Sequence, residues 1–180
     1  VTGVQTCALP IYLDVDARGR MFLVSWRDGG FNAGTTTGFI FRVEPFGHVP
    51  WFFPNRAVVT TADLAALVAS RSHRTRQEAQ RLLLERGLDD AARTMLRSIA
   101  KGLPPGEHDR SPPPLECRVA AIFTLGQADR EAAWPLLVEL SSDPAVAAWA
   151  IRALADDERI AARAPRAPVT AGLSSTDARV

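Results

Sequence analysis

From Asp129 to Ala155 the chain reads DREAAWPLLVELSSDPAVAAWAIRALA, and this stretch restricts the fold more than any other. Trp134, Leu137, Val138 and Leu140 recur about one helical turn apart, with Arg130, Glu131 and Glu139 off the stripe, which predicts an amphipathic helix. Asp129 is a natural N-cap, because its carboxylate can accept a hydrogen bond from a free N–H of the first turn. Pro135 lacks the N–H that would bond back to Glu131, so a bend is expected there. Ser141-Ser142-Asp143-Pro144 then stops the helix and starts a turn. The second helix places Val146, Trp149, Ala150, Ala153 and Leu154 on one face, and its alanines permit close helix-to-helix approach. One such pair cannot bury both of its faces, so it needs stacked neighbours.

Neighbours of the same kind precede it. Leu115–Gln127 reads as the second helix of an earlier pair, with Leu115, Val119, Ile122, Phe123 and Leu125 inward. Asp90–Lys101 reads as its first helix, burying Met95, Leu96 and Ile99. Ala62–Ala69 and His73–Arg86 pair in the same way, and Gly87 is a fitting C-cap. Arg-x-x-Ala recurs in the second helices at Arg76–Ala79 and Arg118–Ala121, while the third copy, Ala147–Ala150, lacks the arginine. Gly102–Pro114 is rich in Pro and Gly and reads as an exposed loop inserted in the middle pair. The proline-bearing helix WPLLVEL, the turn SSDPAV and the closing AIRAL resemble a HEAT repeat. The expected fold is therefore mainly α: a HEAT-like α-solenoid of about three helix pairs over residues 61–157, preceded by a small antiparallel β-sheet.

The sheet is expected between residues 12 and 46. LDVDA alternates apolar and acidic residues, Arg18-Gly19 supplies a turn, and RMFLVSW and GFIFRVE are rich in β-branched and aromatic residues. Arg27–Thr37 between them is a loop dense in Gly, Asn and Thr. Strands this few bury too little apolar area alone, so a partner sheet is expected. Residues 47–60 read as a linker: Pro50 and Pro54 interrupt regular structure, and Trp51, Phe52 and Phe53 are apolar enough to pack one domain on the other. Residues 158–180 are expected to be a tail largely without order, apart from a short helical continuation over Glu158–Arg163.

The string DVD–GRMFLVSWRDGG–TGFIFRVEPFG resembles the closing blade of a β-propeller of the soluble quinoprotein glucose and sorbosone dehydrogenase kind. Many relatives read Asp-Trp where this chain has Ser25-Trp26, and Asp28 is the nearest acidic substitute. Propeller blade, linker and helical repeats in this order resemble exported bacterial proteins described as membrane-bound dehydrogenases. The resemblance implies that missing propeller blades of the same chain are partners of the sheet, and that the location is exported or periplasmic. It implies PQQ or haem c in the parent protein and neither in this chain, since no C-x-x-C-H occurs. Val1–Ile11 resembles the in-frame translation of a sequencing-library adapter, so these residues are set aside as artefact and a truncated N-terminus is expected.

Composition adds bounds. A net charge of +1 gives no bulk attraction to nucleic acid or an anionic membrane. No apolar run approaches the ~20 residues that span a bilayer. Cys7 and Cys117 are too few and too distant to form a disulfide framework or a metal site. His48, His73 and His108 have no ligand-like neighbours and read as surface or cap residues. The best candidate for a functional loop is Arg27-Asp28-Gly29-Gly30, because propeller sites gather from loops at one end of the barrel; the bland alternative is a connection whose glycines serve positive φ. No catalytic residue and no metal ligand is assigned. Arg71, Arg74, Arg76, Arg81, Arg86, Arg93, Arg97 and Lys101 make the first half of the helical region basic, but interleaved acids argue for a solvated face over a nucleic-acid surface. Three function readings stand: a non-catalytic piece of a quinoprotein dehydrogenase-like protein, with the repeats as scaffold; a protein-interaction scaffold in its own right; and, weaker, nucleic-acid binding by the basic half of the solenoid.

Overall fold

The computed structural model describes residues 10–16, 20–26, 38–43, 47, 52–104, 111–177 and 179. The chain divides into two units, Val1–Pro54 and Asn55–Val180. Each is taken by itself.

In the first unit, β1 (Pro10–Val15), β2 (Met21–Trp26) and β3 (Gly38–Val43) form an antiparallel sheet in the order β1-β2-β3. Strand β1 starts two residues inside the segment set aside as artefact, because Pro10 pairs with Ser25 across a bulge. The β1–β2 end is closed by Asp16: its N–H donates to the Arg20 carbonyl at 3.0 Å, and its carboxylate accepts from the Arg20 Nε at 2.7 Å. The register sets Leu13, Leu23 and Phe41 side by side, then Val15, Met21 and Val43. Side chains alternate between faces along a strand, so one face carries six apolar residues. Leu13 keeps 53% of its surface exposed and Val43 42%.

The second unit is helical: α1 (Thr61–Leu67), α2 (His73–Arg86), α3 (Asp90–Ala100), α4 (Leu115–Asp129), α5 (Trp134–Leu140), α6 (Ala147–Leu154), α7 (Glu158–Ala161) and α8 (Arg166–Gly172). Polar caps fix the starts. The Thr60 hydroxyl accepts from the Asp63 N–H at 3.1 Å while the Asp63 carboxylate accepts from the Thr60 N–H at 3.2 Å, a reciprocal capping box. Ser72 caps α2 and Asp89 caps α3. Gly87, at φ +83°, ends α2 as the sequence suggests.

The helices pack as hairpins, α1 with α2, α3 with α4 and α5 with α6. Across hairpins, α1 meets α3, α2 meets α4, and α4 meets α6. The core between them holds Leu64, Leu83, Leu96, Ile99, Ile122 and Leu137, all fully buried. Helices α4 and α6 lie close at Gly126, where a Cβ would stand in ordinary van der Waals contact with the Ala153 Cβ at 3.7 Å.

Five expectations are corrected. Asp129 does not cap a new helix: it ends α4, and its carboxylate accepts from the Arg93 Nε at 3.0 and 3.1 Å. Arg130, at φ +50°, breaks the chain direction there, and a 3-10 turn over Arg130–Ala133 precedes α5. Pro135 consequently falls in the first turn of α5, where a missing N–H costs nothing, and produces no mid-helix bend. The shift also rephases α5, so Leu136, Leu137 and Leu140 are buried while Val138 is exposed. The linker is shorter than expected: Arg86 donates to the Val59 carbonyl at 2.7 Å and to the Arg56 carbonyl, tying Asn55–Thr60 to the helical unit. The tail is not structureless, because α7 and α8 bury Ile160 and Pro168.

Candidate functional site

The helical unit carries an open groove of about 530 Å³ along the second helices of its hairpins. Helix α4 supplies most of it. Leu115, Val119 and Phe123 follow one another at intervals of four and line up on one side of the helix. Cys117, Ala121 and Leu125 lie half a turn round and are buried against the other helices. The sequence suggested that Leu115, Val119 and Phe123 point into the core. Instead Leu115 is 39% exposed, and all three wall the groove. Helix α4 is apolar on nearly every side, and neighbours cover only part of it. Trp149 of α6, also expected inward, closes one end of the groove. The Arg179 guanidinium lies 5.3 Å from its ring centroid.

The opposite wall is α2, which contributes His73, Arg76, Gln77 and Gln80. Arg76 stands out. Only 7% of it is exposed, and its Nη1 donates to the main-chain oxygens of Ser70 at 2.8 Å and Arg71 at 3.0 Å. Those carbonyls follow the end of α1. The equivalent residue in the next hairpin, Arg118, does the same job: its Nε donates to the Ala100 carbonyl at the end of α3, at 3.0 Å. Arg118 also reaches Asp143 in the Asp-Pro turn of the following hairpin, at 2.5 Å. The Arg118 hydrogen bond holds the Asp143 carboxyl below the usual carboxylate range. The repeated Arg-x-x-Ala is thus a brace from a second helix to the end of the first. Among the described residues Arg76 has no such carboxylate.

Other sequence candidates are placed as follows. Arg27, Asp28, Gly29 and Gly30 lie outside the described residues, between β2 and β3. Cys7, His48, Trp51 and His108 are also outside them. His73 begins α2 and is exposed at the groove rim. Cys117 is buried, donates weakly to the Ser70 carbonyl at 3.5 Å, and has its thiol pushed up by burial, so it lacks the thiolate character of a nucleophile. Much of the basic run is paired with acids: Arg81 with Glu78 and Glu85, Arg93 with Asp129, and Lys101 with Glu139 at 2.8 Å. Hydrogen bonding to Arg81 draws the Glu78 carboxyl below its usual range. Among the described residues no three His, Cys, Asp or Glu gather as metal ligands, and no helix is long and apolar enough to cross a membrane.

The groove was only partly visible in the sequence. The Arg-x-x-Ala repeat was the available signal for Arg76, and the four-residue spacing of Leu115, Val119 and Phe123 was the signal for the wall. What the sequence lacked was the direction from which α2 and α6 cover α4. No family model, curated protein or solved structure matches this chain.

Proposed function

We propose that the helical unit is a HEAT-like scaffold that holds a protein segment along α2, α4 and α6, with no reaction of its own. The observation that carries this reading is the pattern of helix contacts. The first helices α1 and α3 meet, and the second helices α2, α4 and α6 meet in turn, which is how stacked hairpins build a continuous recognition surface. The groove along the second helices gives that surface a place to bind, and its apolar wall supplies the driving force. Pairing of the basic side chains with acids favours a protein segment over nucleic acid.

The β-sheet supports the wider reading, in which this scaffold belongs to an exported quinoprotein dehydrogenase-like protein. Three short antiparallel strands suit part of a propeller blade, and Leu13, Met21, Leu23 and Val43 share a face that suits a neighbouring blade. In that protein PQQ or haem c would do the oxidation in parts other than this chain.

A peptide-display selection on the immobilised full chain tests the scaffold. Peptides should be enriched, and Leu115→Glu or Phe123→Glu should release them while leaving the helical circular-dichroism signal intact. Absence of enrichment over an unrelated helical protein, or binding indifferent to both substitutions, would remove the reading. The parent assignment is tested on the gene. An adjoining reading frame with repeated four-strand blades is expected, and one without them contradicts it.

A further inference from the structure

We infer that the occupant of the α2–α4–α6 groove is a protein segment with an acidic residue between apolar ones, its carboxylate seated on Arg76. The inference rests on the scaffold reading above and names the chemistry of the ligand.

Arg76 is more than nine-tenths buried, yet it lines the groove. A buried guanidinium needs a counter-charge or a full set of acceptors, because desolvation of a cation is costly. Its Nη1 has two carbonyl acceptors. Beyond these carbonyls its described polar neighbour is the neutral Cys117 thiol, and no carboxylate pairs with it among the described residues. The contrast with Arg118 is internal to the fold. Both arginines brace the end of a first helix, but Arg118 has its charge met by Asp143 from the next hairpin. Arg76 has no such acid among the described residues and lines the groove. A carboxylate entering from the groove can accept charge-assisted N–H bonds from the edge of the guanidinium that the two carbonyls leave.

The surroundings select the rest of the ligand. Leu115, Val119, Phe123 and Trp149 favour apolar side chains on either side of the acid, and Gln77 and Gln80 can bond a peptide main chain. His73 adds a second basic group at the rim, whereas Glu116 is the one acid on the lining. The balance favours a negative group near α2 and disfavours a lysine or arginine there.

The test uses the full chain and two peptide-display libraries that share random apolar flanks and differ only in a fixed central Glu or Gln. The Glu library should give the tighter binders, and changing Glu to Gln in a selected peptide should weaken binding at least about tenfold, the loss expected for one charge-assisted hydrogen bond. Arg76→Met should remove that preference for Glu, and Arg76→Lys should keep part of it. If Arg76→Met does not fold, the Glu-to-Gln comparison on the wild-type chain still decides. Peptides that depend on Phe123 but bind equally with Glu or Gln would overturn the inference and leave the scaffold standing. Peptides that ignore Phe123→Glu would remove the scaffold and the inference together. A dimer that strengthens with concentration and is lost in Phe123→Glu would assign the groove to a second copy and overturn the inference.

Discussion

The sheet and the helical unit dispose of their apolar side chains in opposite ways. In Asn55–Val180, Leu64, Leu83, Leu96, Ile99 and Ile122 have no exposed surface. In the sheet, Leu13, Ile40 and Val43 remain between 42% and 74% exposed although every strand is paired. The difference is one of layers. Each helix hairpin finds a second hairpin to lie against, whereas a single sheet has two faces and its hydrogen bonds cover neither. Local pairing is therefore enough to make strands and insufficient to make a core. Stacking makes the core, and it also leaves a groove along α2, α4 and α6.

The largest expected effect tests that contrast directly. Leu96→Ala should cost the helical unit about 2–5 kcal/mol, as large-to-small changes at fully buried sites do, whereas Ile40→Ala on the sheet should stay within about 0.5 kcal/mol. Urea denaturation followed at 222 nm checks both, and equal losses would break the comparison. Next comes the brace between hairpins. Arg118→Met should destabilise by about 1–3 kcal/mol, because the Ala100 carbonyl and Asp143 both lose a donor. The pH dependence has a definite sign. The folded Asp143 carboxyl titrates below its unfolded value, so its contribution is present above about pH 4 and is lost as the pH falls through the folded value. Asp143→Asn should flatten that acid limb in a series of midpoints measured from neutral pH to pH 2.

Smaller effects follow from backbone and burial. Gly102 sits at φ +77°, and a Cβ there would stand 3.4 Å from the Arg118 Cζ; Gly87, at φ +83°, faces open space. Both alanine variants should lose about 1 kcal/mol for the left-handed backbone, with Gly102→Ala the worse of the two. The Thr75 hydroxyl is buried with no hydrogen-bond partner, so Thr75→Val should gain up to about 1 kcal/mol in thermal or urea melts.

What the sequence revealed and what it hid divide along physical lines. Helix existence was legible from the periodic apolar pattern, as in α2 and α3, and the Gly87 stop of α2 was legible with it. The mainly helical class with a small antiparallel sheet was legible for the same reason. Phase was not legible in α5, because Arg130 at positive φ and a 3-10 turn reset the helix in a way that no side-chain pattern announces. The sides of α4 were ambiguous because Leu115, Val119 and Phe123 are as apolar as Ile122 and Leu125. Only the placement of α2 and α6 decides which set is covered. Helix α8, RAPVTAG, carries a proline and no clear stripe, so its helical state depends on burying Pro168 and not on its own propensity. The Arg27–Gly30 loop, chosen from its glycines and its charged pair, lies outside the described residues.

The central claim is that α4 has two apolar sides, one sealed in the stack and one open on the groove. A glutamate scan along this helix, read as the urea midpoint of the full chain, tests it most directly. Glu at Ala121, Ile122 or Leu125 should abolish the folding transition, because each position is buried. Glu at Leu115 or Val119 should leave the midpoint nearly where it was. A collapse at Leu115 and Val119 as complete as the one at Ile122 would show that the groove wall is core, and would contradict the account.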